Sequence, residues 1–209
     1  MTLVVVAGTG TEVGKTFVCA ALARSLREHG VEVHARKPVQ SFAPGDTSTD
    51  ADVLAASTGE SSERVCPVHR RLATPMAPPM AAEALGLPSF CIADLVGELD
   101  APDAGITLVE GAGGLLSPLA SDGDTRALIQ ACRPALVVLV ADAGLGTINL
   151  VRLCVEALGP RHPLVVFLNR FEEHDDLHRR NLAWLHTREG LDAVTDAETL
   201  YTRVAAFTS

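Results

Sequence analysis

Residues 4–17 read VVVAGTGTEVGKTF: an apolar run, a glycine- and threonine-rich turn, then Gly14-Lys15-Thr16 opening a helical pattern. A strand that runs through such a turn into a helix aims backbone N–H groups and the positive end of the helix at one point, a seat for phosphate. Lys15 is then placed to reach the outer phosphates, and the Thr16 hydroxyl to hold Mg2+. Thr9 stands where the ordinary loop has its first glycine, and five residues instead of four separate Gly8 from Gly14. This is a lengthened phosphate loop.

The rest of the chain supplies the sheet that such a loop requires. Residues 2–7, 31–39, 105–110, 135–142 and 163–169 read as strands, and most of them are apolar at nearly every position, as parallel strands covered on both faces are. Between them, residues 15–29, 50–57, 124–131 and 149–158 carry helical spacing, with Gly30 as a C-terminal cap. Residues 42–49 and the TPMAPP stretch at 74–79 read as loops. The expectation is a single α/β domain over 1–209: a P-loop NTPase-like, mainly parallel sheet with helices on both faces and ligands beyond the carboxyl ends of its strands.

Composition narrows the partners. The 209 residues are 47% hydrophobic, enough for one substantial core, and carry a net charge of −9. Nucleic acid and anionic membrane are poor partners for that balance. The apolar run at 3–7 is too short to span a bilayer and lacks the flanks of a secretory signal. Five scattered cysteines with no C-x-x-C pair read as small buried hydrophobes of a reducing cytoplasm.

Only Lys15 and Lys37 among the seventeen basic residues are lysines; the others are arginine. A chain that uses arginine this freely keeps lysine where a compact point charge is needed, as beside a transferring phosphoryl group. Lys37 ends the second strand, expected next to the first, and so falls near the phosphate loop. Glu110 ends the apolar strand ITLVE before GAGG, where a metal needs a carboxylate and the core does not. Asp50 opens a helix, either as a metal contact or as part of an N-terminal cap, and Asp52 is the other candidate for the metal. Mg2+ takes one or two carboxylates beside phosphate oxygens, which suits Thr16, Asp50 and Glu110.

Weaker signals lie further on. His174 and His178 stand four apart on a helical pattern with carboxylates nearby, without a third zinc ligand at matching spacing. Residues 141–149, ADAGLGTIN, lead from a strand into a helix whose start can take an anion. Asn169 puts a polar group at the ligand edge of the sheet.

Taken in order, GTGTEVGKT, KPVQS, TDA, PMAPPMAAE, VEGAGGLLSPL, GLGTIN and LNR resemble the dethiobiotin synthetases over roughly residues 1–187. The resemblance implies a sheet of about seven strands, a homodimer with the substrate site near the interface, and ATP with Mg2+. It implies a reaction that joins CO2 to diaminopelargonic acid and closes a cyclic urea. By position it implies nucleotide contacts from Gly10, Thr11, Glu12, Val13, Gly14, Lys15, Thr16 and Phe17, with Asn169 reading the base. Lys15, Lys37 and Thr11 become the catalytic set, Lys37 holding the carbamate; Thr16, Asp50 and Glu110 become the metal set. Thr11, Glu12, Lys37, Ser41, Gly111, Thr147 and Asn149 become the diamine site, with Asn149 offered by the partner subunit to the substrate's distal carboxylate. Leu150 stands where the family often has histidine, and the C-terminal DAETLYTRVAAFTS matches nothing in the pattern.

Three other readings compete. A cobyrinic-type amide synthase needs an ammonia source for which 209 residues leave no room. A ParA/MinD-like switch has a further lysine at the start of its loop, where this chain has Gly8-Thr9-Gly10, and a basic patch that this acidic chain lacks. A paralogue closing a ring on a different diamine would show itself first around Leu150.

Overall fold

The computed structural model describes residues 2–207. The chain runs β1 (Thr2–Gly8), α1 (Lys15–Glu28), β2 (Val33–Arg36), β3 (Gln40–Ser41), α2 (Asp50–Thr58), α3 (Ser62–Val65), β4 (Arg71–Leu72), α4 (Pro78–Ala84), α5 (Ile92–Gly97) and β5 (Ile106–Glu110). It continues through β6 (Pro118–Ala120), β7 (Gly123–Asp124), α6 (Thr125–Cys132), β8 (Leu136–Asp142), α7 (Thr147–Leu158), β9 (Leu164–Asn169), α8 (Asp176–Thr187), β10 (Ala193–Val194) and α9 (Ala197–Ala205). Six strands form one parallel sheet in the order β10-β9-β8-β1-β5-β2, and β3/β4 and β6/β7 form two small separate pairs.

The apolar strands are buried on both faces for a reason visible in β1. Val4 and Val6 point into a core closed by α1, α2 and α9; Leu3, Val5 and Ala7 point into a second core closed by α4 to α8. Period-two alternation sends neighbours to opposite faces, so a strand between two helical layers must be apolar throughout. Cys19, Cys66 and Cys154 are buried, and all five thiols are free. Among the described residues no helix is long and apolar enough to cross a membrane.

Four expectations change. β5, not β2, lies beside β1, because α1 carries the chain over one position and leaves that slot for the later strand. The second strand ends at Arg36: Pro38 has no N–H for the ladder, and the Lys37 N–H turns away to the Val65 carbonyl at 2.7 Å. The loop expected at 74–79 ends sooner, since Pro78 starts α4, where a missing N–H costs nothing. Among the described residues the central sheet has six strands, not about seven. Within the final segment Ala197–Ala205 form α9, capped by Asp196, whose Oδ1 accepts from the Thr199 N–H at 2.8 Å.

β2 is an edge strand, and a carboxylate holds it. Glu60 Oε2 accepts from the Ala35 N–H at 2.9 Å, and Oε1 pairs with Arg36 Nη1 at 2.8 Å; His34 and Arg64 lie within 3.8 Å of the same carboxylate. Burial pushes the Glu60 carboxyl up, but the Ala35 N–H and Arg36 outweigh it and hold the pKa below its ordinary 4.5. Its stabilisation is therefore full above pH 4.5 and lost as pH falls below that value. Glu60→Gln is expected to cost about 1–2 kcal/mol at pH 7, with the deficit vanishing under acid conditions. Thermal midpoints of both proteins between pH 7 and 3.5 check this; a deficit independent of pH would remove the carboxylate from the account.

Candidate active site

All six parallel strands point their carboxyl ends the same way, so β1, β2 and β5 deliver their following residues to one edge. The loop after β1 reaches α1 through two left-handed residues, Glu12 at φ 61° and Gly14 at φ 92°. Gly14 has a second constraint: a Cβ there would lie 2.0 Å from the Asn169 amide nitrogen. Lys15 Nζ donates to the Gly10 carbonyl across the loop at 3.0 Å. Burial first, and Lys37 second, lower the Lys15 pKa to about 8 against the pull of Glu110 and Asp50.

Beneath the loop four side chains meet. Lys37, only 1% exposed, places Nζ 2.5 Å from Glu110 Oε1, 2.7 Å from Asp50 Oδ2 and 3.2 Å from the Gly111 carbonyl. The Thr16 hydroxyl lies 2.9 Å from both Asp50 Oδ1 and Glu110 Oε1. Burial alone would lower the Lys37 pKa, but the two carboxylates raise it, so the ammonium stays charged. Burial also disfavours charge on Asp50, and Lys37 and Thr16 overcome it and lower the pKa. Glu110 is fully buried, and there burial prevails, raising its pKa despite Lys37.

The entry into α2 sends Asp50 and Asp52 in different directions. Asp52 Oδ2 accepts from the Thr49 N–H at 2.9 Å and the Thr49 hydroxyl at 2.8 Å, which closes a capping box and turns Asp52 away from the cluster. Asp50, free of the cap, faces Thr16 and Lys37.

The donor set fits a hard divalent cation. Thr16, Asp50 and Glu110 offer only oxygen, and Glu110 Oε2 is buried without a hydrogen-bond partner. Among the described residues no group of three or more His, Cys, Asp or Glu side chains is placed to hold a metal ion. That includes His174 and His178; His178 Nδ1 instead accepts from the Glu172 N–H at 3.1 Å.

A cleft of about 930 Å³ opens over the cluster. Of the residues singled out from sequence, Thr11, Glu12, Gly14, Lys15, Thr16, Lys37, Ser41, Asp50 and Glu110 line it. Gly10, Val13, Gly111 and Asn169 stand behind that lining. Gly10 and Gly111 lend carbonyls to the two lysines, and Asn169 Nδ2 donates to the Val13 carbonyl at 2.9 Å. Phe17 lies outside, 62% exposed, on a neighbouring cavity of about 410 Å³. Thr147 and Asn149, at the start of α7, are absent from the cleft: Thr147 is buried and Asn149 is exposed. Phe42, Met76, Ser117 and Arg170 also line the cleft and went unread in the sequence. Ser117 sits inside the quoted GGLLSPL run and Arg170 inside LNR, so proximity to those runs was the available signal.

Comparison with known proteins gives the family. A family model described as an AAA domain matches residues 2–200. The ATP-dependent dethiobiotin synthetase BioD of Rhodococcus jostii is 42% identical over 161 residues, covering 76% of this chain and 68% of that protein. The enzyme of the same name from Mycobacterium tuberculosis is 44% identical over 163 residues, covering 76% and 69%. Cobyrinic acid a,c-diamide synthase of Mycobacterium smegmatis, solved with an ATP analog and magnesium, aligns over 98% of this chain and 92% of that one. Its TM-score of 0.56 at 15% identity is a likeness of fold alone. With a lengthened phosphate loop over a buried lysine–carboxylate cluster, and with relatives of this identity and coverage, the chain belongs to the ATP-dependent dethiobiotin synthetase family.

Proposed function

We propose that this chain is an ATP- and Mg2+-dependent cyclo-ligase that makes dethiobiotin from CO2 and diaminopelargonic acid in the cytoplasm. The observation that carries the reading is the Lys37 ammonium, locked between Glu110 and Asp50 within a phosphate-loop cleft. CO2 and one substrate amine give a carbamate, an anion that must approach a second anion, the triphosphate. Lys37 and Lys15 supply the positive charge that lets the two meet in line. Thr16, Asp50 and Glu110 would hold Mg2+, which neutralises phosphate charge.

Transfer of the γ-phosphoryl group turns a poor electrophile into a mixed carbamic–phosphoric anhydride. The second amine, held on the same carbon chain, attacks that carbonyl; phosphate leaves and the ureido ring closes. Intramolecular attack is where positioning contributes most, and Thr11, Glu12 and Ser41 lie along the cleft to provide it. Asn169 we assign to the nucleotide base.

A homodimer completes the site in this reading. Leu145, Leu150 and Leu153 are 91%, 43% and 56% exposed along the start of α7, beside the outward Asn149. A second copy covering that stripe would bring Asn149 to the far end of the partner's cleft, toward the substrate carboxylate, while Thr147, buried in its own chain, would stay behind it.

The test is phosphate release from MgATP and bicarbonate, with and without diaminopelargonic acid, and mass detection of the product. Diamine-dependent phosphate together with dethiobiotin is expected. Phosphate release indifferent to this diamine would reject the substrate and turn attention to Leu150, which stands where the resemblance leads one to expect histidine.

A further inference from the structure

The loop's peptide planes are held from behind by Asn169, the last residue of β9, and by Arg170, which follows it. Asn169 Nδ2 donates to the Val13 carbonyl at 2.9 Å, and Arg170 Nη2 donates to the Glu12 carbonyl at 2.8 Å. These are successive carbonyls in a segment where Glu12 and Gly14 both have positive φ. In a planar trans peptide the C=O and the following N–H point in opposite directions. Drawing the Glu12 and Val13 carbonyls backward therefore turns the Val13 and Gly14 N–H groups forward, the orientation an anion seat requires.

Arg170 is itself fixed. Its Nη1 lies 2.7 Å from Asp142 Oδ2, while Asp142 Oδ1 accepts from the Gly144 N–H at 2.9 Å. Asp142 and Asn169 are register partners at the ends of β8 and β9, so the clamp stands on the sheet's rigid edge. Asp142 does not line the cleft.

We propose that Asn169 and Arg170 form a brace that sets the phosphate loop for nucleotide, with Arg170 acting through the Glu12 carbonyl and steadied by Asp142. This rests on the reading of the loop as a nucleotide site. Arg170 is thus a positioning residue. A left-handed non-glycine residue in the loop is a conformation that needs such outside support.

The experiment measures MgATP affinity by calorimetry, with steady-state constants, for wild type, Arg170→Ala, Asp142→Ala and the double variant. Arg170→Ala is expected to weaken affinity about tenfold and Asp142→Ala about threefold, with the double variant no weaker than Arg170→Ala alone. KM for ATP rises in step, while KM for the diamine, kcat at saturating nucleotide and the thermal midpoint hold, the last within about 2 °C. A general loss of structure would move all of them.

Unchanged affinity in Arg170→Ala overturns the brace. So does a normal Asp142→Ala beside a weakened Arg170→Ala, because the arginine would then be touching nucleotide directly. Wild type that binds MgATP but makes no dethiobiotin refutes the proposed reaction and leaves the affinity pattern to decide the brace.

Discussion

Lys37→Arg is expected to lower turnover by about 10²–10³-fold while leaving MgATP affinity within about threefold. The ammonium fills a niche that is 1% exposed, with three oxygens from 2.5 to 3.2 Å away on different elements. Nζ is a single point that all three can share. A guanidinium is planar and larger, and its fork matches one carboxylate edge-on, not two carboxylates and a carbonyl converging from separate directions. Forcing it into this interior costs about 1–3 kcal/mol of overpacking and moves the positive charge off the carbamate position. Nucleotide affinity survives because the loop backbone and Lys15, bonded to the Gly10 carbonyl, do not depend on Lys37 for their hydrogen bonds. Separate measurements of kcat and of MgATP binding check both halves, and near-normal turnover with arginine would take Lys37 out of the mechanism.

Gly14→Ala should have an effect of similar size on the other function of the cleft, nucleotide binding. Gly14 has φ 92°, and a Cβ would stand 2.0 Å from Asn169 Nδ2, a nitrogen held at 2.9 Å from the Val13 carbonyl. Strain in the left-handed region costs about 1–2 kcal/mol, and the overlap must be relieved by moving Asn169, which is largely buried, or the loop. Either movement releases the Val13 carbonyl. MgATP affinity is expected to fall by roughly 100-fold, and the thermal midpoint by about 3–8 °C. Adding Asn169→Ala removes the overlap but not the backbone strain, so it should restore the midpoint in part and affinity hardly at all. A Gly14→Ala protein that binds MgATP normally would place the nucleotide elsewhere than this loop.

Legibility of the site followed the range of the contacts. The loop and the start of α1 are contiguous, so residues 8–16 carry their own geometry, and their pattern could be read directly. Lys37 and Glu110 were legible for a different reason: parallel strands of one sheet finish at one edge, so residues that end strands meet without any knowledge of strand order. The expected neighbour relation between the first two strands was wrong, yet the lysine still arrives beside Glu110, because β2 pairs with β5. Strand order leaves little trace in composition among β1, β8 and β9, which are apolar on both faces.

Other features needed the folded chain. Asp50 and Asp52 are equivalent in sequence, and only the Thr49 capping box turns one away from the cluster. Arg170 looks like one more surface arginine until β9 sets it behind a loop 158 residues earlier. The sequence shows a helical pattern at His174 and His178, but α8 starts only at Asp176 and leaves His174 outside it; α9 and β10 escaped notice because their apolar positions are sparse and gain meaning only from the layers they close.

The amino-acid sequence by itself determined the phosphate loop, the alternation of strand and helix, and the two lysines kept in an arginine-rich chain, because these depend on local conformation and on side-chain chemistry. Tertiary structure alone decided the strand order, the pairing of Lys37 with both Glu110 and Asp50, the exclusion of Thr147 and Asn149 from their own chain's cleft, and the brace behind the loop. Those depend on which helix covers which face, a choice made by packing between residues far apart in the chain.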